Sequence, residues 1–238
     1  MTVSRRPTRP PRPADAREAR QKAMSEQRRA LILDAARTAF FELGLEGASI
    51  REIAQRAGYT PGAIYSYFAS KEEVYAALLG ESLERLNAQV ASARDSCRAV
   101  GPVLVRATAN AFFDFYRENP RDLDLGFYVF QGLQPRGLTA VLNEALNRQL
   151  RDALQPTQDA LAGMGMPVQV ARQEVTSLFA HCVGLLVLSH TGRIRMFNQA
   201  SQDLFDRYLD QLAGRAVPAT VRSKVRRGAS SGRNMPAD

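Results

Sequence analysis

The chain has no tryptophan, and only two cysteines and two histidines among its 238 residues. Cys97 and Cys182 are far apart and form no CxxC, so a disulfide framework is not expected and both thiols should be reduced. Two His and two Cys are too few for a convincing Cys/His metal site. The adjacent pair His181 and Cys182 would project about 100° apart on a helix, which argues against joint ligation or a nucleophile with its base. There is no GxSxG, HExxH or Walker loop, and no alternating apolar pattern that would make a strand. No run of eighteen apolar residues is present, and the N-terminus is rich in Arg and Pro rather than apolar. These absences lead us to expect a cytoplasmic, all-α protein that is not an enzyme, carries no cofactor or metal and does not enter a membrane.

What is present is an uneven charge. The net charge is +8. Residues 1 to 30 hold nine Arg/Lys against three Asp/Glu, and residues 214 to 238 hold six against one. Residues 31 to 213, with seventeen against twenty, are slightly acidic. A polyanion partner would therefore be held by local groups and by the tails, since the body offers no general attraction. The stretch 1 to 24 lacks periodicity and is expected to be disordered or extended, either as a solvated leader or as an arm along a minor groove. A second basic tail without structure is expected over 214 to 238.

The richest stretch is SIREIAQRAGYTPGAIYSYFASK, from Ser49 to Lys71. Ser49 and Glu52 have the spacing of a capping box before the apolar set Ile50, Ile53, Ala54 and Ala57. Gly58 should end that helix in the left-handed conformation. Thr60 then caps a second helix with Pro61 at its first position, ending near Phe68. Ser70 and Glu73 repeat the box and open a longer helix with Lys71 in its first turn. Ahead of these, Ile32, Ala35, Ala36, Ala39, Phe40 and Leu43 make one apolar face on a helix from about Ser25 to Leu43. Short helices need such a floor, because alone they are unstable. The expected arrangement is a helix-turn-helix whose second helix enters a major groove of double-stranded DNA.

The strings Ser49-x-x-x-Ile53-Ala54-x-x-Ala57-Gly58, Gly62-x-Ile64-Tyr65-x-Tyr67-Phe68 and Ser70-Lys71-Glu72-Glu73, preceded by Ile32-Leu33-x-Ala35-Ala36-x-x-x-Phe40-x-x-x-Gly44, strongly resemble the N-terminal domain of the tetracycline-repressor (TetR) family. The resemblance implies a three-helix DNA-binding domain over 26 to 86, with its motif at about 49 to 68. A larger C-terminal helical ligand-binding and dimerisation domain over 87 to 213 would follow. It also implies DNA contacts at Arg51, Thr60, Pro61, Gly62, Ala63, Tyr65, Ser66, Tyr67 and Lys71. The helix starts at Ser49 and Ser70 independently suit phosphate oxygens. The second helix of the motif carries no Arg, Lys, Asn or Gln, so Arg51 is the strong candidate for a guanine, while Thr60 and Ala63 suit thymine methyl groups. Tyr65 is expected to reach phosphate, and Tyr67 either phosphate or the core.

Past Lys71 the helix keeps Val74, Leu78, Leu83, Leu86 and Val90 and reaches toward Arg98, long enough to belong to both halves. Further helices are expected from Pro102 to Asn119, 122 to 132, 138 to 161 with a break or kink at Pro156, 167 to 190, and 201 to 212. Phe112, Phe113, Phe115, Tyr116, Phe127, Tyr128 and Phe130 line either an apolar small-molecule pocket or a plain core. The stretch Cys182 to Leu188, apolar nearly all round, needs cover on more than one side. With the stripe near the C-terminus it suggests a homodimer interface at Val175, Leu178, Cys182, Leu185, Leu186, Leu204, Phe205, Tyr208 and Leu212. The function that follows from the resemblance is a repressor released from its operator by an effector. The alternative is a helical adaptor, or a nonspecific DNA coat, without effector response.

Overall fold

In the computed structural model, residues 13–127 and 138–216 are described, and among these every regular element is helical. The elements are α1 (Pro13–Gly47), α2 (Ile50–Ala57), α3 (Pro61–Tyr65), α4 (Lys71–Ser96), α5 (Pro102–Glu118), α6 (Pro120–Phe127), α7 (Ala140–Gly163), α8 (Val168–His190) and α9 (Ser201–Ala216), with a 3-10 turn at Arg193–Phe197 before α9. The chain divides into two compact units, one ending at Leu78 and one starting at Leu79. That boundary falls inside α4.

The first unit is built on α1. Ile32, Leu33, Ala36, Ala39 and Phe40 are buried on one face, and α2 and α3 add Ile50, Ile53, Ala54 and Ile64. Phe40 meets Tyr75 edge-on at 6.2 Å between ring centres. The expectation of an unstructured arm over 1 to 24 is corrected in part, since α1 begins at Pro13 while residues 1 to 12 lie outside the described residues. The physical reason is composition: Ala, Glu, Arg, Gln and Lys are strong helix formers, and Pro suits a first helical position. From Arg17 to Arg28 this extension is exposed at every position. At its other end α1 carries a kink at Gly44, whose φ of 75° a side chain would oppose.

In the second unit α7 runs through Pro156 without ending, so of the expected break or kink the break does not occur. Its neighbour Thr157 is anchored inside, donating to Thr108 Oγ1 of α5 at 2.9 Å, while Thr108 donates to the Leu104 carbonyl. Buried hydroxyls satisfied in this way fix α7 against α5. The 3-10 turn was not foreseen. It is bracketed by Gly192 and Asn198, both left-handed. The expected tail over 214 to 238 is corrected at its first three residues, because α9 continues to Ala216; residues 217 to 238 lie outside the described residues.

Candidate nucleic-acid interface

Local hydrogen bonds set the geometry of α2 and α3. Ser49 Oγ accepts from the Glu52 N–H at 3.2 Å. Gly58 sits at φ 71°, and the Tyr59 N–H reaches the Ala54 carbonyl at 2.8 Å. Thr60 Oγ1 accepts from the Ala63 N–H at 3.3 Å, with Pro61 at the start of α3. Ser70 Oγ accepts from the Glu73 N–H, and Glu73 reaches back to the Ala69 N–H at 2.8 Å. The second capping box is thus close to its expected form. The first is half formed, because Glu52 turns away to accept from Arg56 Nε at 2.7 Å. Arg56 also donates to Glu42 of α1 at 2.7 Å, so one guanidinium ties α2 to the floor. The two acids raise its pKa, chiefly through these hydrogen bonds, Glu52 first. Sequence reasoning missed this brace, because Glu42 and Arg56 are fourteen residues apart.

The outer side of the motif is open. Ser49, Arg51, Thr60, Pro61, Gly62, Tyr65 and Ser66 are exposed, Ala63, Tyr67 and Lys71 are half-buried, and Ile64 and Phe68 turn inward. Tyr65 is 56% exposed. Helix α3 ends at Tyr65, three residues earlier than expected, and the Tyr67 and Phe68 N–H groups both return to the Ile64 carbonyl in a tight turn. Lys71 is not a freely aimed charge: its Nζ donates to the Leu45 carbonyl at 2.6 Å. It ties the start of α4 to the last turn of α1. An ammonium has three donors, so two remain for another acceptor.

In the second unit the aromatic residues separate into two groups. Phe112 and Phe115 each meet Tyr116 edge-on, at 5.3 and 5.2 Å. Tyr116 meets Phe127 at 5.4 Å. Phe179 of α8, absent from the expected set, closes the group against Phe112 and Phe127 at 5.9 and 5.6 Å. Phe113 leaves the group and stacks on Phe205 of α9 at 4.3 Å, because consecutive helical residues face different neighbours. Tyr128 and Phe130 lie outside the described residues. Burial drives the Tyr116 hydroxyl and the Cys182 thiol strongly toward their neutral forms.

The expected dimer residues need correction. Val175, Leu178, Cys182, Leu185, Leu186, Phe205 and Leu212 are buried within the single chain, at 6% exposure or less, and Leu204 and Tyr208 are half-buried. The most apolar stripe of a helix is taken first by its own core. Helix α8 exposes Arg172 and Thr176 and, next to them, the row Gln173, Ser177, Ala180, Gly184 and Leu188, which itself carries no charge. Beside it His181 stacks on Tyr208 at 4.3 Å, and Arg215 donates twice to Glu174, each at 2.8 Å.

Comparison with known proteins agrees with both units. Residues 32–78 match the family model of bacterial regulatory proteins of the tetR family, and residues 105–212 match the model of the tetracyclin repressor-like C-terminal domain. The HTH-type transcriptional activator FasR of Mycolicibacterium smegmatis is 32% identical over 118 residues, 49% of this chain and 52% of the relative. The HTH-type transcriptional regulator TtgR of Pseudomonas putida is 38% identical over 84 residues, 35% of this chain and 40% of the relative. The chain thus spans about half or less of the length of these curated relatives. Among solved structures, a transcriptional regulator FadR from Bacillus subtilis, in complex with stearoyl-CoA, superposes with a TM-score of 0.60 at 18% identity, covering 77% of this chain and 97% of that one. At that identity it supports the fold alone. With its N-terminal helix-turn-helix and its C-terminal helical region each matched in order, the chain belongs to the tetR family of bacterial regulatory proteins.

Proposed function

We propose that this protein is a sequence-specific, DNA-binding transcriptional regulator, a repressor that acts as a symmetric homodimer and leaves its operator when a small apolar effector binds. The observation that carries the DNA reading is Gly62. It lies inside α3, its φ needs no glycine, and a Cβ built there would meet no atom within 4 Å. Inside a helix, glycine costs up to about 1 kcal/mol against alanine. Among the described residues no close contact at this position repays that cost. A duplex lying against the first turn of α3 does, because only a bare Cα lets the backbone approach closely.

Gly62→Ala is therefore expected to leave the fold as stable or more stable while weakening binding to operator DNA. Thermal unfolding together with a gel-shift titration reads both. Unchanged DNA affinity would remove the reading.

Dimerisation uses the uncharged outer row of α8, Gln173 to Leu188, beside Leu204 and Tyr208 of α9. A short recognition helix reads few base pairs, so two copies at one-turn spacing supply the specificity. The effector would lie against Phe112, Phe115, Tyr116, Phe127 and Phe179, and it shifts DNA affinity only as far as it prefers the non-binding state.

A further inference from the structure

Hydrogen-bond reading of bases in a major groove needs side chains with donors and acceptors at their tips, above all Arg, Asn and Gln. Helix α3 and the residues flanking it have few such groups left over. Thr60 Oγ1 is the helix cap, and Ser66 Oγ donates to the Gly62 carbonyl at 3.4 Å. Pro61 has no N–H and Gly62 no side chain. The first turn thus offers exposed Thr60, Pro61 and Gly62 and half-buried Ala63, whose side chains, apart from the capping Thr60 hydroxyl, consist of carbon and hydrogen alone. This is the end of a recognition helix that meets base edges. The major-groove edge complementary to a carbon surface is the thymine 5-methyl group. Arg51, exposed on α2, supplies the contrasting chemistry, a guanidinium suited to guanine O6 and N7.

We infer that the first turn of α3 selects thymine through its 5-methyl group, with Pro61 as the specificity-determining residue, and that Arg51 adds a guanine contact in each half-site. This rests on the DNA-binding reading above. Selection for thymine by this route is steric and apolar, so it discriminates thymine from uracil, which a hydrogen-bond reader of the same base would not do.

The test uses the full-length protein and duplexes enriched on it from a random-sequence library. Enriched sites are resynthesised with deoxyuridine for thymidine one position at a time, or with 7-deazaguanine for guanine. The expected result is a loss of roughly three- to fourfold for each methyl removed under α3, the scale of burying one methylene. Thymidines outside the protected region should show no change. Pro61→Gln should lose this sensitivity at one position in each half-site, and Arg51→Ala should lose sensitivity to 7-deazaguanine. Enriched duplexes whose deoxyuridine forms bind as tightly as the originals would overturn the thymine inference and leave the DNA-binding reading standing. Failure of the library to enrich any sequence would overturn both.

Discussion

The two units are held together differently. In the unit ending at Leu78, α2 and α3 are short and their starts carry side-chain caps at Ser49 and Thr60. Neither is long enough to stand without such help and a floor. In the unit from Leu79, α5 and α8 start at Gly101 and Pro167 without any side-chain cap. Their order comes from contacts between residues distant in sequence, such as Phe113 on Phe205 and Thr157 on Thr108. One unit displays what its local chemistry specifies. The other hides most of what it specifies in its core.

The sharpest way to break this contrast is to remove a long-range contact. Phe113→Ala, which vacates the stack on Phe205, should cost about 3–5 kcal/mol, as large aromatic truncations in cores do. Chemical denaturation should show the loss in the second unit, and a shift under 1 kcal/mol would mean the stack is dispensable. Next in size is Gly184→Arg. Its site is exposed with no atom within 4 Å of an added Cβ, so the fold should tolerate it while light scattering reports monomer in place of dimer. Ser49→Ala should cost about 1 kcal/mol through loss of a cap, read as a lowered unfolding midpoint for the first unit. The Arg215 and Glu174 pair is partly exposed, and Arg215→Gln should change stability by about 1 kcal/mol or less.

The smallest effect is a pH dependence from His181. Desolvation lowers its pKa below 6.5, partly offset by a hydrogen bond to the Leu204 backbone. The unfolded chain then binds this proton more readily. Its contribution to stability is complete above about pH 6.5 and declines as pH falls from there through the folded value. His181→Gln should flatten that part of the stability profile, and a profile with unchanged slope would show that other groups cause it.

The same difference decides what was legible in the chain. Ser49, Gly58, Thr60 and Ser70 announce their elements within a few residues, so the motif could be placed closely from spacing alone. Glu42 and Arg56 could not be paired, because no local pattern links them. Phe179 was invisible as a member of the aromatic group, since its partners sit on α5 and α6. Val175, Leu178, Cys182, Leu185 and Leu186 are covered by the chain's own core and not by a second copy, because periodicity tells that a face is covered and not by what.

By itself, the sequence determined the helical class, the starts of the two short helices, the end of the first at Gly58 and the outer position of Thr60 to Gly62, since caps, breakers and a period of 3.6 residues act over one or two turns. The tertiary structure alone decided which apolar stripe of α8 became core and which uncharged row remained outside. It also decided that Lys71 would hold the Leu45 carbonyl and that Phe113 would leave its neighbours for Phe205. Those choices depend on which distant helix arrives to fill the space, and that is settled by close packing of the whole unit.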